Sequence, residues 1–153
     1  MSASVTVKNG QPLRDKLGKF TSTVPDTLNR ALFSAAAAIM QKAQALIMDS
    51  SAKSGIMYPG ARNRSSAPGE APATQTGALQ SSIKMEPADT GVGYRVFADE
   101  NIALYAGYLE FGTHDKDGTV RIAPRPFLRP AVDFVSPTVQ QLVSDAWKAT
   151  YGE

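Results

Sequence analysis

The chain contains no cysteine. That excludes disulfides, thiolate nucleophiles and zinc–thiolate centres, and it suits folding in a reducing cytosol. Histidine occurs once, as His114, followed by Asp115, Lys116, Asp117 and Gly118. A metal site needs more ligands at defined spacing, so a lone histidine in a polar turn points to solvent exposure. The same turn lacks the acidic spacing and closing glutamate of a calcium loop. There is no Gly-x-x-x-x-Gly-Lys-Ser/Thr phosphate loop, no Gly-x-Gly-x-x-Gly fingerprint and no serine in a Gly-x-Ser-x-Gly context. The expectation is a protein that is not an enzyme and carries no metal or cofactor.

Charge is also sparse. The net charge is +2 and the basic residues are scattered, too small an imbalance to argue for nucleic acid. Lys8, Arg14, Lys16 and Lys19 make a mildly basic N-terminal section that suits a solvated surface. The longest apolar run, Ala35 to Met40, falls far short of a membrane span. The first residues show no charged segment leading into an apolar one, so neither a secretory leader nor a membrane partner is expected. At 153 residues, 42% hydrophobic and 20% charged, the chain suits one globular domain over residues 1–153.

Ser4 to Lys8 alternates with β-branched residues and suits a short strand closed by an Asn9-Gly10 turn. Gln11 to Thr23 is a short helix or an irregular arm, since Gly18 interrupts Leu13, Leu17 and Phe20. A long helix follows, capped by Ser22 or Thr23, with Pro25 in its first turn and Asp26 at the positive end of its dipole. Leu28, Leu32, Ala35, Ile39, Ala43 and Leu46 give it one apolar face, ending near Ser50 to Lys53. The small residues Ala35 to Ala38 allow another element to approach closely.

The section Ser54 to Gln75 holds three prolines, three glycines and little apolar content. A loop this long inside a compact domain is uncommon, and ordering it costs about 1–2 kcal/mol per residue. It is therefore expected to be an extended arm held by a neighbouring copy or a partner protein. Thr76 would cap a short helix to Ser82. Ser82 to Met85 and Gly91 to Phe97 suit two strands around a turn at Pro87 to Thr90. Val92, Tyr94 and Val96 would lie on one face, Arg95 and Phe97 on the other.

From Leu104 to Ala131 the chain packs many signals together. Ala103, Leu104, Gly107, Tyr108 and Phe111 recur at helical spacing, so Ile102 to Phe111 suits a short helix that Gly112 ends. Asp115 to Gly118 is turn chemistry, and Thr119 to Ala123 is strand-like. Pro124, Pro126 and Pro130 fix the backbone of a hinge, with Phe127 and Leu128 as apolar anchors. Glu110 is a candidate buried carboxylate, paired with Arg121, Arg125 or Arg129. After Pro130 breaks the chain, Val132, Val135, Val139, Leu142, Val143, Ala146 and Trp147 mark a last helix that Pro137 kinks or restarts. The order of elements argues α+β: a small antiparallel sheet of 3–4 strands packed against two long helices, with a long Pro/Gly-rich loop at residues 54–75.

Three segments carry a resemblance. Thr76, Gly77, Leu79, Ser82 and Ile83 match a Thr-Gly-x-Leu-x-x-Ser-Ile block, departing at Gln80, where an arginine is common. Glu110, Phe111, Gly112 and Thr113 match the end of a Tyr-x-x-Glu-Phe-Gly-Thr block, with Tyr108 one position closer to the glutamate than the block's tyrosine. Arg125, Pro126, Phe127, Leu128, Pro130 and Ala131 match an aromatic-x-x-Arg-Pro-Phe-Leu-x-Pro-Ala block, with Ile122 at its aromatic position. Together they resemble the tail-component, or neck and tail-completion, family of long-tailed bacteriophages, which includes minor tail protein Z of lambda.

The resemblance implies a structural virion protein at the head-to-tail junction, assembled in the bacterial host cytoplasm. It implies an oligomeric ring, hexameric or else dodecameric, touching connector or stopper, tail terminator and tail tube proteins. Non-specific contact with channel DNA would be electrostatic and strongly salt-dependent. The alternative within the class is a tail terminator capping the tube; outside it stands a small enzyme or binding module. The expected interface set is Tyr58, Arg62, Arg64, Glu70, Tyr108, Glu110, Phe111, Arg125, Phe127, Leu128 and Arg129. Arg125 and Arg129 would meet a neighbour's carboxylate, Glu110 foremost, or the same residues would form one cluster within the chain that fixes the hinge.

Overall fold

The computed structural model describes residues 11–49, 53–61, 63–89 and 93–151, and of residues 11–25, 150 and 151 the backbone alone. The expected strand at Ser4 to Lys8, the Asn9-Gly10 turn and Arg62 lie outside these residues.

The elements run α1 (Gln11–Met48), α2 (Ala78–Ser82), β1 (Ile83–Pro87), β2 (Tyr94–Ala98), α3 (Ala106–Phe111), β3 (Thr113–His114), β4 (Val120–Ile122) and α4 (Leu128–Tyr151). Helix and antiparallel sheet are mixed, as expected, and two long helices dominate. The sheet differs from expectation. There are two separate hairpins, β1–β2 and β3–β4, rather than one sheet of 3–4 strands. Residues 99–112, with α3 among them, separate the hairpins, and β3 is two residues long with a register shift beside it. Neither hairpin supplies an edge that the other meets.

Helix α1 starts well before Ser22 and Thr23 and runs through Pro25, so the expected cap there is not the start. The missing Pro25 amide removes one hydrogen bond, and helical residues on both sides tolerate that loss within a long element. Its inward line is Ala31, Ala35, Ala43 and Ile47, with Ile39 half-buried between them. This four-residue step follows the ridge along which helices interdigitate, and three of its members are alanines, so α4 packs closely against α1. Ala43 and Ile47 share one core with Leu79, Ile83, Ala103, Ala106, Phe127 and Ala131.

Over Asp26–Met48, 23 residues with mean hydropathy 1.3, α1 is by length and composition apolar enough to cross a membrane. That corrects the expectation drawn from contiguous runs, because dispersed alanine, leucine and isoleucine raise the mean without forming one long run. A core helix passes the same test. Here Ala43 and Ile47 are fully buried, and the Gln44 amide reaches the carbonyls of Gln80 and Ile83 at 3.4 and 3.5 Å.

Strands β1 and β2 pair Ile83 with Ala98 and Pro87 with Tyr94, close to the expected spans. Val96 packs on the core, and Tyr94 meets Phe33 of α1 edge-on at 5.4 Å. Arg95 stacks on Phe97 and pairs with Glu86 on the other face. Val92, expected beside Tyr94, lies outside the described residues. The cap of α2 is Gly77 in the left-handed region, with no side-chain cap bond. Thr76, expected as the cap, sits one residue earlier, and its hydroxyl accepts the Ala78 amide at 3.3 Å.

Helix α3 is shorter than expected, because residues 102–105 form turns rather than helix. Pro130 does not break the chain; it lies inside the first turn of α4, which begins at Leu128. Helix α4 also continues through Pro137 without restarting.

Candidate functional site

Glu110 organises the region from α3 to α4. It sits in the last turn of α3, buried, and its carboxylate accepts the amides of Phe127 at 2.8 Å, Leu128 at 3.0 Å and Arg129 at 2.9 Å. These are three of the four amides that the start of α4 leaves without intrahelical partners. The fourth position is Pro130, which has no amide hydrogen. All four are thus accounted for, and a negative charge lies at the positive end of the α4 dipole. The expected pairing of Glu110 with Arg121, Arg125 or Arg129 is replaced by this cap. A carboxylate so occupied has little accepting capacity left for a guanidinium.

The three prolines pre-set this geometry. Arg125, between Pro124 and Pro126, donates its backbone amide to Leu109 at 2.6 Å and its Nε to Ser66 at 3.2 Å. Gly112, at φ 72°, turns the chain out of α3, and its α-carbon faces the Ile122 carbonyl and Pro124 too closely to admit a side chain. Phe127 is then 0% exposed, and Leu128 packs half-buried beside it. Both expected anchors point into the chain's own core.

The Pro/Gly-rich section is braced by hydrogen bonds within the chain. Two Pro-Gly turns shape it, at Tyr58–Ala61 and Ala67–Glu70. Each has glycine at positive φ (Gly60 78°, Gly69 84°) and closes from the fourth amide to the first carbonyl. Glu70 accepts from the Ser54 amide, the Ser54 hydroxyl and the Ala67 amide. The Ser54 hydroxyl, then the Ala67 and Ser54 amides, hold its carboxyl down at about 2. Gly55 pairs with Ser65, Ser65 with Ile56, and Asn63 with Thr74. Gly69 donates to the Pro124 carbonyl, tying the loop to the hinge. At the loop's entry, buried Lys53 donates to the Leu46 carbonyl at 2.9 Å, closing the end of α1. Burial lowers the Lys53 pKa, with Asp49 and Glu70 opposing that shift.

The expected interface set therefore divides. Glu70, Glu110, Arg125, Phe127 and Leu128 make contacts inside the chain. Tyr58, Arg64, Tyr108, Phe111 and Arg129 are exposed, although Arg64 donates to the Gly55 carbonyl and the Arg129 amide belongs to the cap.

Two sets of apolar side chains stand out, and the expected interface set held Tyr58, Tyr108 and Phe111 of the first but no residue of the second. In the first, Ile56, Met57 and Tyr58 of the loop are exposed, as are Leu104 (71% exposed), Tyr105, Tyr108 and Phe111 (78%) in and before α3. A cavity of about 540 Å³ lies between the loop and α3, lined by Tyr58, Pro72, Leu109 and Arg125 among others. The other is a groove of about 700 Å³ along α4, lined by Ile39, Val132, Val139, Val143 and Trp147 with Ser136 and Ser144. Its signal was present in the sequence. The apolar residues of α4 fill two adjacent stripes, one buried through Ala131 and Val135 and the other lining this groove with Ile39 of α1. Lys42 lies over the Phe134 ring at 3.9 Å nearby.

His114 is exposed in β3, and among the described residues no three metal-ligating side chains come together. No protein-family model, curated protein or solved structure matches this chain.

Proposed function

We propose that this chain is a structural virion protein of the phage head-to-tail junction, a neck or tail-completion protein acting as an oligomeric ring. One observation carries the reading: the three resembling blocks are a single unit in space. Glu110 of the second block caps the helix that the third block opens, and Leu79 and Ile83 of the first share a core with Phe127 and Ala131 of the third. Chance matches scattered along a sequence would not be expected to depend on one another in this way. The number of large exposed aromatic and aliphatic side chains supports an assembled role.

The role follows from the build. A self-braced loop and a carboxylate-capped helix present apolar side chains on a frame that loses little conformational freedom on binding. Rigid subunits of this kind suit a joint that transmits force between head and tail.

The test is removal of the protein from a phage genome that encodes it, followed by electron microscopy of the lysate. Filled heads and finished tails that fail to join, and that join when the purified protein is added, are expected. Intact infectious particles without the protein would overturn the proposal.

A further inference from the structure

The guanidinium of Arg125 is anchored without being neutralised. The Arg125 backbone amide donates to the Leu109 carbonyl at 2.6 Å, and Nε donates to the Ser66 carbonyl at 3.2 Å. Among the described residues nothing in the chain meets the two terminal amino groups, and Arg125 enters no ion pair. The carboxylates next to its anchor points are both committed. Glu110, beside Leu109, caps α4. Glu70, beside the Gly69 that binds the Pro124 carbonyl, holds Ser54 and Ala67. A half-buried cation without a counter-charge is costly, and an anion from outside the chain relieves that cost.

Arg125 also lines the cavity of about 540 Å³ between the loop and α3, a size usual for ligand sites. Tyr58, Pro72 and Leu109 give this cavity apolar walls, and Ser66 and Gln75 add polar ones. We infer that the cavity receives an acidic side chain, aspartate or glutamate, of a partner polypeptide, with Arg125 as its counter-ion.

Charge selects the group. Arg125 is the one charged residue lining the cavity among the described residues, so it matches one carboxylate rather than a run of phosphates, which recruits several cations. With Nε fixed on Ser66, the terminal amino groups remain as a planar fork that a carboxylate accepts with both oxygens. The walls select the carrier. Tyr58 lines the cavity yet is 57% exposed, so the cavity opens to solvent beside it. A free carboxylate would leave the Tyr58 ring wet, whereas a side chain borne on a polypeptide covers it and adds apolar burial to the ion pair. Pro124 and Pro126 flank Arg125 and limit the backbone freedom lost on binding. The site deepens the neck reading and rests on it only for the partner being another virion protein.

The probes are acetyl-Leu-Glu-Leu-amide and its glutamine counterpart, with sodium acetate and inorganic phosphate at the same ionic strength. Each is titrated into the isotope-labelled full-length protein while the Arg125 Nε–H resonance and the Gln75 side-chain amide are followed by NMR. The glutamate peptide is expected to shift both saturably and to bind about tenfold or more tighter than the glutamine peptide, as a charge-assisted contact requires. Arg125→Lys keeps the charge without the fork and should weaken the glutamate peptide about tenfold, read on Gln75. Because Arg125 also braces the loop, Gln75→Glu is the second variant. Exposed and nearly isosteric, it leaves the bonds of Arg125 in place and sets a competing carboxylate on the cavity wall. It should weaken the glutamate peptide severalfold and spare the glutamine peptide.

Equal binding of the two peptides, no saturable shift up to the limit of solubility, or undiminished binding by both variants would overturn the inference. So would acetate or phosphate binding as tightly as the glutamate peptide, which would assign the cavity to a free anion. Head–tail joining by protein that binds no glutamate peptide would overturn the site and leave the neck reading standing. Glutamate-specific binding by a protein that never joins heads to tails would overturn the neck reading alone.

Discussion

The carboxylate of Glu110 and the amide of Phe127 are 17 positions apart in sequence and 2.8 Å apart in space. The same carboxylate holds Leu128 and Arg129, so one buried side chain starts a 24-residue helix. Stability and hinge geometry pass through this contact.

Replacing Glu110 with alanine should cost about 2–4 kcal/mol, because three helix amides lose charge-assisted partners in a site closed to water. Urea unfolding measures it. Glu110→Gln should lie between the native protein and the alanine variant, retaining an acceptor oxygen without the charge. A loss below about 0.5 kcal/mol, typical of surface substitutions, would show that water replaces the cap freely.

Glu70 gives the loop a pH dependence of known sign. Its folded pKa, about 2, lies below the ordinary glutamate value of 4.5. The contribution is therefore fully present above about pH 4.5 and is lost as pH falls through 2. The amide resonances of Ser54 and Ala67 should titrate near the lower value. Titration of both near 4.5 would mean that the clasp is open in solution.

Gly112 and Gly118 both have positive φ, but their surroundings differ. A Cβ at Gly112 would lie 2.7 Å from the Ile122 carbonyl oxygen, whereas nothing lies within 4 Å of one at Gly118. Gly118→Ala should cost about 1–2 kcal/mol from backbone conformation alone. Gly112→Ala should cost clearly more, and thermal melts of the pair will rank them. Equal losses would refute the close approach.

Thr113 carries the one buried side-chain hydroxyl without a hydrogen-bond partner among the described residues. Thr113→Val removes that hydroxyl at nearly constant volume, so stability should hold or rise by up to about 1 kcal/mol. A fall in melting temperature would reveal a partner for the hydroxyl, such as an ordered water.

Local signals carried much of this fold. Two long helices were legible from apolar spacing over many turns, the β1–β2 hairpin from alternation around a turn, and the end of α3 from Gly112. Glu110 was legible as a buried carboxylate because it sits at the end of a short apolar helix. Its partner was not. An arginine is the usual expectation for a buried acid, and sequence spacing gives no hint that a helix start 17 residues later will swing back to it.

The sequence by itself determined that two long helices and the β1–β2 hairpin form, because propensity and side-chain period act within a few residues, while several helix ends departed from the local signals. Tertiary structure alone decided which polar groups meet and which apolar stripes stay open. Glu70 and Glu110 took backbone amides rather than arginines, since helix starts and tight turns leave amides that must be satisfied once buried.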